Sequence, residues 1–173
     1  MLKTSVLIIL LTGLVAPTTG CAQESADATV YYVLRHAEKA EPPADAPGDP
    51  HLSVKGHARA AQLAKLLEHA SLTDIFSSEY RRTQETVAPL AGQQGLSVQS
   101  YNPADLQDFA GHLTQQSGRI LVVGHSNTTP ELVRLLGGEP GEPIDDATEF
   151  DRLYILYRPA DGQVTTVRLH YGG

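Results

Sequence analysis

The 173-residue sequence predicts an α/β domain, a three-layer αβα sandwich with a mainly parallel central sheet that ends in a C-terminal antiparallel hairpin. Three observations lead there. Short β-prone runs alternate with stretches whose apolar residues recur at helical spacing. Two of the runs, TVYYVLR at 29–35 and RILVVG at 119–124, read as strands covered on both faces. The last two, 152–158 and 163–170, flank the turn signal Ala160-Asp161-Gly162, which suits an antiparallel hairpin.

The amino terminus stands apart from this pattern. Lys3 precedes the apolar run Val6 to Val15, too short to span a membrane but fitting the hydrophobic region of a secretory signal, so residues 1–20 are left out of the fold. Thr18-Thr19-Gly20-Cys21 resembles a bacterial lipobox, which would make Cys21 the lipid anchor and residues 21–28 a tether. Thr18 stands where an aliphatic residue is usual, so ordinary cleavage near Ala22 is the alternative. Both readings place a domain of residues 29–173 outside the cytoplasm, on the periplasmic face of a membrane or free in the periplasm.

Within the domain the elements follow in order. The strand 29–35 ends at His36, and EPPADAPGDP at 41–50 is a surface loop. Ser53 caps a helix whose inner face carries Ala60, Leu63, Ala64 and Leu67, with Arg59, Lys65 and Glu68 off that face. A strand at 74–77 precedes a helix at 79–91 opened by Ser78, and a strand at 96–101 precedes a helix that Pro103 starts and that runs to about Gln115. RILVVG ends at a second histidine, His125. Thr129 and Pro130 open the helix 131–136, which Gly137-Gly138 closes before the hairpin.

Composition removes several function classes. Thirteen Lys and Arg against twenty Asp and Glu give a net charge of −7, which argues against nucleic acid as a partner. The single cysteine excludes an internal disulfide and any multi-cysteine metal site. With no HExxH or comparable ligand cluster in the sequence, neither a metal nor another cofactor is expected.

The chemistry gathers at strand ends. In a doubly covered parallel sheet, ligands sit beyond the carboxyl ends of the strands. Arg35-His36 and Gly124-His125 close two of them, and Ser77-Ser78-Glu79-Tyr80-Arg81-Arg82 leads into a helix amino terminus. Two arginines and two histidines at such a terminus suit a phosphoryl group, whose charge is spread over three oxygens in the transition state. Ser126 and Asn127 stand ready to bind the same group. A neutral imidazole there can attack phosphorus and give a phosphohistidine that water then hydrolyses.

The stretches Arg35-His36-Ala37-Glu38-Lys39, Leu52-Ser53 to Gly56, Ser77-Ser78 with Arg82 and Thr86, and Gly124-His125-Ser126 together resemble the histidine phosphatase superfamily, with its phosphoglycerate mutase-like fold. The resemblance covers about residues 29–170. It implies His36 as the phosphorylated nucleophile and Arg35, Arg82 and His125 as phosphoryl ligands. Ala37 replaces the usual third residue of the Arg-His-Gly triplet, a tolerated change. No glutamate stands in Asn102-Pro103-Ala104-Asp105-Leu106, where many members carry the acid for the leaving oxygen; Asp105 is the substitute and Glu79 its rival. Lys39 reads as a solvated loop residue, and Glu149 with Arg152 as a surface pair.

The resulting expectation is an exported, lipid-anchored phosphomonoesterase that acts on a small phosphorylated substrate through phospho-His36 without metal. Two alternatives accompany it, a non-catalytic phosphate-binding module of the same fold and a phosphoglycerate-type mutase.

Overall fold

The computed structural model describes residues 28–41, 48–160 and 163–172. The signal segment, Cys21, the tether up to residue 27, the centre of the 41–50 loop and the tip of the hairpin lie outside the described residues.

The strands are β1 (Thr29–Arg35), β2 (Asp74–Ser78), β3 (Val98–Tyr101), β4 (Gly118–Gly124), β5 (Arg152–Arg158) and β6 (Thr165–His170). They form one six-stranded sheet in the order β3-β2-β4-β1-β5-β6. The first four are parallel, while β5 runs antiparallel to both β1 and β6. The helices are α1 (Val54–Leu66), α2 (Arg81–Gln94), α3 (Leu106–Thr114) and α4 (Thr128–Leu135).

Alternation along the strands builds two cores. Leu34, Ile75, Leu121 and Val123 pack against Leu63 and Leu67 of the first helical segment and Val87 and Leu90 of α2. Their neighbours Tyr31, Val33, Phe76, Ile120 and Val122 turn the other way, against Phe109 and Leu113 of α3 and Leu132 and Val133 of α4. Burying a side chain of this size contributes about 1.5–3 kcal/mol, and with both faces covered these strands must be apolar throughout. The expected sandwich is therefore the observed one.

The same layering fixes the crevice. After β1 the chain passes through α1 on one face, and after β4 it passes through α4 on the other. Because β1 and β4 are neighbours, a gap opens beyond their carboxyl ends, the switch point at which such sheets bind ligands.

Several boundaries differ from expectation for local reasons. Ser53 does cap α1, its hydroxyl accepting from Gly56 N–H at 3.1 Å. Ser78 caps nothing: it is the last residue of β2, paired with Tyr101, so α2 begins only at Arg81, after a corner at Glu79-Tyr80. Pro103 does not start α3, because Asn102 closes a turn first. Its side-chain oxygen accepts from Ala104 N–H at 3.1 Å and its carbonyl from Asp105 N–H at 3.1 Å. α4 begins at Thr128 rather than 131, since Thr129 N–H already bonds the His125 carbonyl at 2.9 Å. Its end is as expected: Gly137 takes φ +85°, Gly138 N–H bonds the Val133 carbonyl at 2.9 Å and Gly137 N–H the Arg134 carbonyl at 3.0 Å. β3 and β6 each begin two residues later than predicted.

Arg59 is the main correction within a helix. Expected off the inner face of α1, it is buried there because Glu38 lies opposite. Its Nε and Nη2 donate to the Glu38 carboxylate at 2.9–3.1 Å and its Nη1 to the Tyr171 carbonyl at 2.7 Å. Burial of Glu38 opposes its ionisation, but the hydrogen bonds and charge of Arg59 prevail and hold the carboxyl below its ordinary range. This pair ties the chain just after His36 to both α1 and the C-terminal segment.

Candidate active site

His36 and His125 emerge from the neighbouring strands β1 and β4. Arg35 stands opposite Gly124 in the register, and His36 N–H continues the ladder to the Gly124 carbonyl at 3.0 Å. The two rings lie 5.4 Å apart, edge to face. Ala37 N–H is held in turn by the Thr86 hydroxyl at 3.0 Å, which couples the position after His36 to α2. Main-chain and side-chain bonds therefore fix the histidine on both sides.

His36 is only 2% exposed, and its Nδ1 lies 2.8 Å from the Ala37 carbonyl. A carbonyl can only accept, so Nδ1 carries the hydrogen and the lone pair is on Nε2. Burial pushes its pKa down to about 3; the Ala37 hydrogen bond opposes this, and the charges of Arg35 and Arg82 add to it. His125 falls to about 4, first through burial and then through Arg82 and Arg35. Its Nε2 donates to Ser78 Oγ at 2.9 Å and its Nδ1 faces Arg82 Nη2 at 3.4 Å, as a neutral ring must against a guanidinium. Both imidazoles are neutral at pH 7.

Arg82 leans back from the first turn of α2 over the Tyr80 ring, 4.3 Å from its centre. It lies 3.7 Å from Asp49, and its buried Nε has no partner among the described residues. His36, Arg82, His125, Ser126 and Asn127 line one open pocket of about 420 Å3 together with Lys39, Tyr80, Pro103, Ala104, Thr128 and Asp146. Five of the site residues expected from sequence are thus brought together.

Arg35 and Asp105 are placed differently. The Arg35 guanidinium is 1% exposed and turned into the loop between α4 and β5. It donates to the carbonyls of Asp145 at 3.1 Å, Glu149 at 2.8 Å and Asp146 at 2.8 Å, and to Asp146 Oδ1 at 2.6 Å. Phe150 covers it at 4.1 Å. Arg35 is absent from the pocket lining and reaches His36 through its charge. Asp105 is exposed, binds the Asn102 amide at 2.6 Å and does not line the pocket either, since the Asn102 turn carries Pro103 and Ala104 there in its place. Cys21 lies outside the described residues.

The carboxylate the pocket does contain is Asp146, which sequence reasoning missed. Its Oδ1 accepts from Ser126 Oγ at 2.7 Å as well as from Arg35, and Oδ2 lies 3.9 Å from Lys39 Nζ. The Ser126 hydrogen bond, then Arg35 and Lys39, hold it below the usual carboxylate range. An acidic doublet in a Pro- and Gly-rich loop reads as solvent-facing, so nothing local marks it. Lys39 lines the pocket although a loop lysine is ordinarily solvated. Glu149 and Arg152 do pair, at 2.5 and 2.8 Å, but with Arg152 buried rather than on the surface. Among the described residues, a trio with metal-ligand spacing is Glu149, Asp151 and His170; Glu149 is already engaged by Arg152, and His170 by Asp151 at 3.1 Å.

Comparison with known proteins agrees with this fold. Residues 31–108 match the model of the histidine phosphatase superfamily (branch 1), a stretch that contains His36 and Arg82 and stops before His125. The protein histidine phosphatase SixA, solved with tungstate, superposes with a TM-score of 0.67 at 16% identity, over 82% of this chain and 97% of that one. A phosphoglycerate mutase from Bacillus anthracis str. Sterne gives 0.60 at 16% identity, over 83% and 93%. An uncharacterised protein of Mycobacterium tuberculosis is 36% identical over 76 residues, 42% of this chain, and the match spans only 37% of that protein's length. The family match covers residues 31–108 of the domain, and the domain as a whole has the phosphoglycerate mutase-like architecture.

Proposed function

We propose that the protein is a phosphomonoesterase that works through a phosphohistidine on His36. The observation that carries this reading is the convergence of a buried, neutral imidazole, with its lone pair on Nε2, and Arg82 and His125 on one open pocket. In the first step Nε2 bonds to phosphorus as the ester P–O bond breaks, and the leaving oxygen departs with that electron pair as an alkoxide that takes its proton from water. In the second, water bonds to phosphorus, the P–N bond breaks, and inorganic phosphate leaves with His36 regenerated. Arg82, Ser126, Asn127 and the amino terminus of α4 stabilise the equatorial oxygens. Arg35 supports this through its charge and by holding the 145–150 loop. Ionised Asp146 is a poor proton donor and Asp105 is outside the pocket, so alcohols that leave without protonation are favoured.

The test is hydrolysis of p-nitrophenyl phosphate by the full-length chain in mild detergent, with and without EDTA, beside His36→Ala. Turnover that resists EDTA and is lost in the variant supports a metal-independent phosphatase; loss on EDTA treatment overturns the metal independence. That the carboxylate in the pocket lining, Asp146, is held ionised also favours a second reading, a phosphate-binding module, which phosphate binding without turnover would support.

The reading includes export. Residues 1–20 act as a signal, and Cys21 carries lipid at the periplasmic face of the membrane. Cys21→Ser is expected to move the protein from the membrane to the soluble fraction, and an unchanged distribution overturns the anchor.

A further inference from the structure

A second cavity, about 710 Å3, opens directly beside the phosphoryl pocket and shares Tyr80, Pro103 and Ala104 with it. Its remaining lining includes Asp49, Glu79, Ser100 and Asn102. A monoester with its phosphorus between His36 and Arg82 has this cavity as the adjoining space for its alcohol. The shared Tyr80 stands at the junction, with Arg82 stacked on its ring and its edge 5.1 Å from His125.

The charges of the cavity are asymmetric. The phosphoryl pocket is lined by the cations Arg82 and Lys39 with one carboxylate, Asp146, which Arg35 and Lys39 offset, whereas the charged groups lining the second cavity are the carboxylates Asp49 and Glu79 alone. Asp49 is compensated, accepting from Arg81 N–H at 2.8 Å and lying 3.6–3.7 Å from the guanidinium groups of Arg81 and Arg82. Asn102 is spent on its own turn, with Ala104 N–H and Asp105 as partners. Glu79 is exposed and has no side-chain partner among the described residues. It therefore leaves one uncompensated negative charge where the alcohol would sit.

We propose that this cavity is the leaving-group subsite, and that Glu79 makes it select uncharged polar or cationic alcohols against anionic ones. The proposal rests on the phosphatase reading above and adds the class of substrate. It also disfavours carboxylated phosphoglycerates, hence the mutase alternative.

The experiment compares three monoesters of similar size on the full-length chain: glycerol 3-phosphate, phosphoethanolamine and 3-phosphoglycerate. A unit charge a few ångströms away in water changes kcat/KM by about fivefold, so 3-phosphoglycerate is expected about fivefold below glycerol 3-phosphate, with phosphoethanolamine at or above it. Glu79→Gln should close that gap, and added salt should narrow it in the parent. Equal or better use of 3-phosphoglycerate overturns the proposal. So does a gap that persists in Glu79→Gln, or a Glu79→Gln variant that slows all three esters alike, as loss of a general acid would. If no ester turns over, the phosphatase reading fails separately, and the same ratios measured as dissociation constants by calorimetry decide the subsite.

Discussion

The two ends of the site are built from different material. At the phosphoryl end, His36 and His125 are the residues next after paired strands, Arg82 sits in the first turn of a helix, and His36 is 2% exposed. At the proposed leaving-group end, Glu79, Asn102 and Ala104 are exposed residues of loops and corners. The difference teaches a division of labour. Phosphoryl chemistry needs a few groups held in place, which a ladder and a buried ion pair provide, whereas choice of alcohol can be left to segments that vary without disturbing the sheet.

The sharpest test of the rigid end is His36→Ala, which is expected to lower p-nitrophenyl phosphate hydrolysis by at least about 10^4-fold, because without the nucleophile the remaining groups have nothing to orient. A residual rate near the parent's breaks the division at its centre. Next in size is the clamp behind the nucleophile. Arg59→Ala leaves Glu38 buried without its main partner and should cost about 3–5 kcal/mol in urea-induced unfolding. A cost below about 1 kcal/mol, that of an exposed pair, would show the strand end to be held by the ladder alone.

The pH dependence separates the two ends again. His36 and His125 titrate at about 3 and about 4 in the folded protein against 6.5 in the unfolded chain. The unfolded chain thus binds more protons between these limits. Their contribution to stability is complete above about pH 6.5 and is lost as the pH falls toward 4 and below, whereas the exposed groups of the loops contribute little. Histidine proton NMR checks this directly, since neither ring should titrate above about pH 5, and titration near 6.5 would show that the pocket is wet.

The smallest effect is expected at the flexible end. Asp105→Asn should change hydrolysis of alkyl and aryl phosphates by less than about twofold, against the 100-fold or more that a general acid supplies. Slowing confined to the alkyl ester would restore Asp105 to the acid's role.

Much of this domain was legible in the linear chain. The apolar runs at 29–35 and 119–124 located the two central strands, because a strand buried on both faces admits few polar residues. The Arg35-His36, Arg82 and Gly124-His125 stretches located the strand and helix ends that meet at the pocket, because local pattern reveals such ends. Ser53 and Gly137-Gly138 marked helix ends through their own short-range bonds.

Tertiary structure decided what long-range partners determine. Arg59 is inside because Glu38, twenty-one positions earlier, lies across from it. Asp146 enters the pocket, and the Arg35 guanidinium turns from it, because they bind each other across 111 positions. Ser78 is a hydrogen-bond partner of His125 rather than a helix cap because β2 and β4 are neighbours. Asp105 stays outside because the Asn102 turn binds its carboxylate and carries Pro103 and Ala104 to the pocket. Spacing along a chain reports the period of an element and its ends, while the direction in which a loop side chain points depends on what the fold brings opposite it.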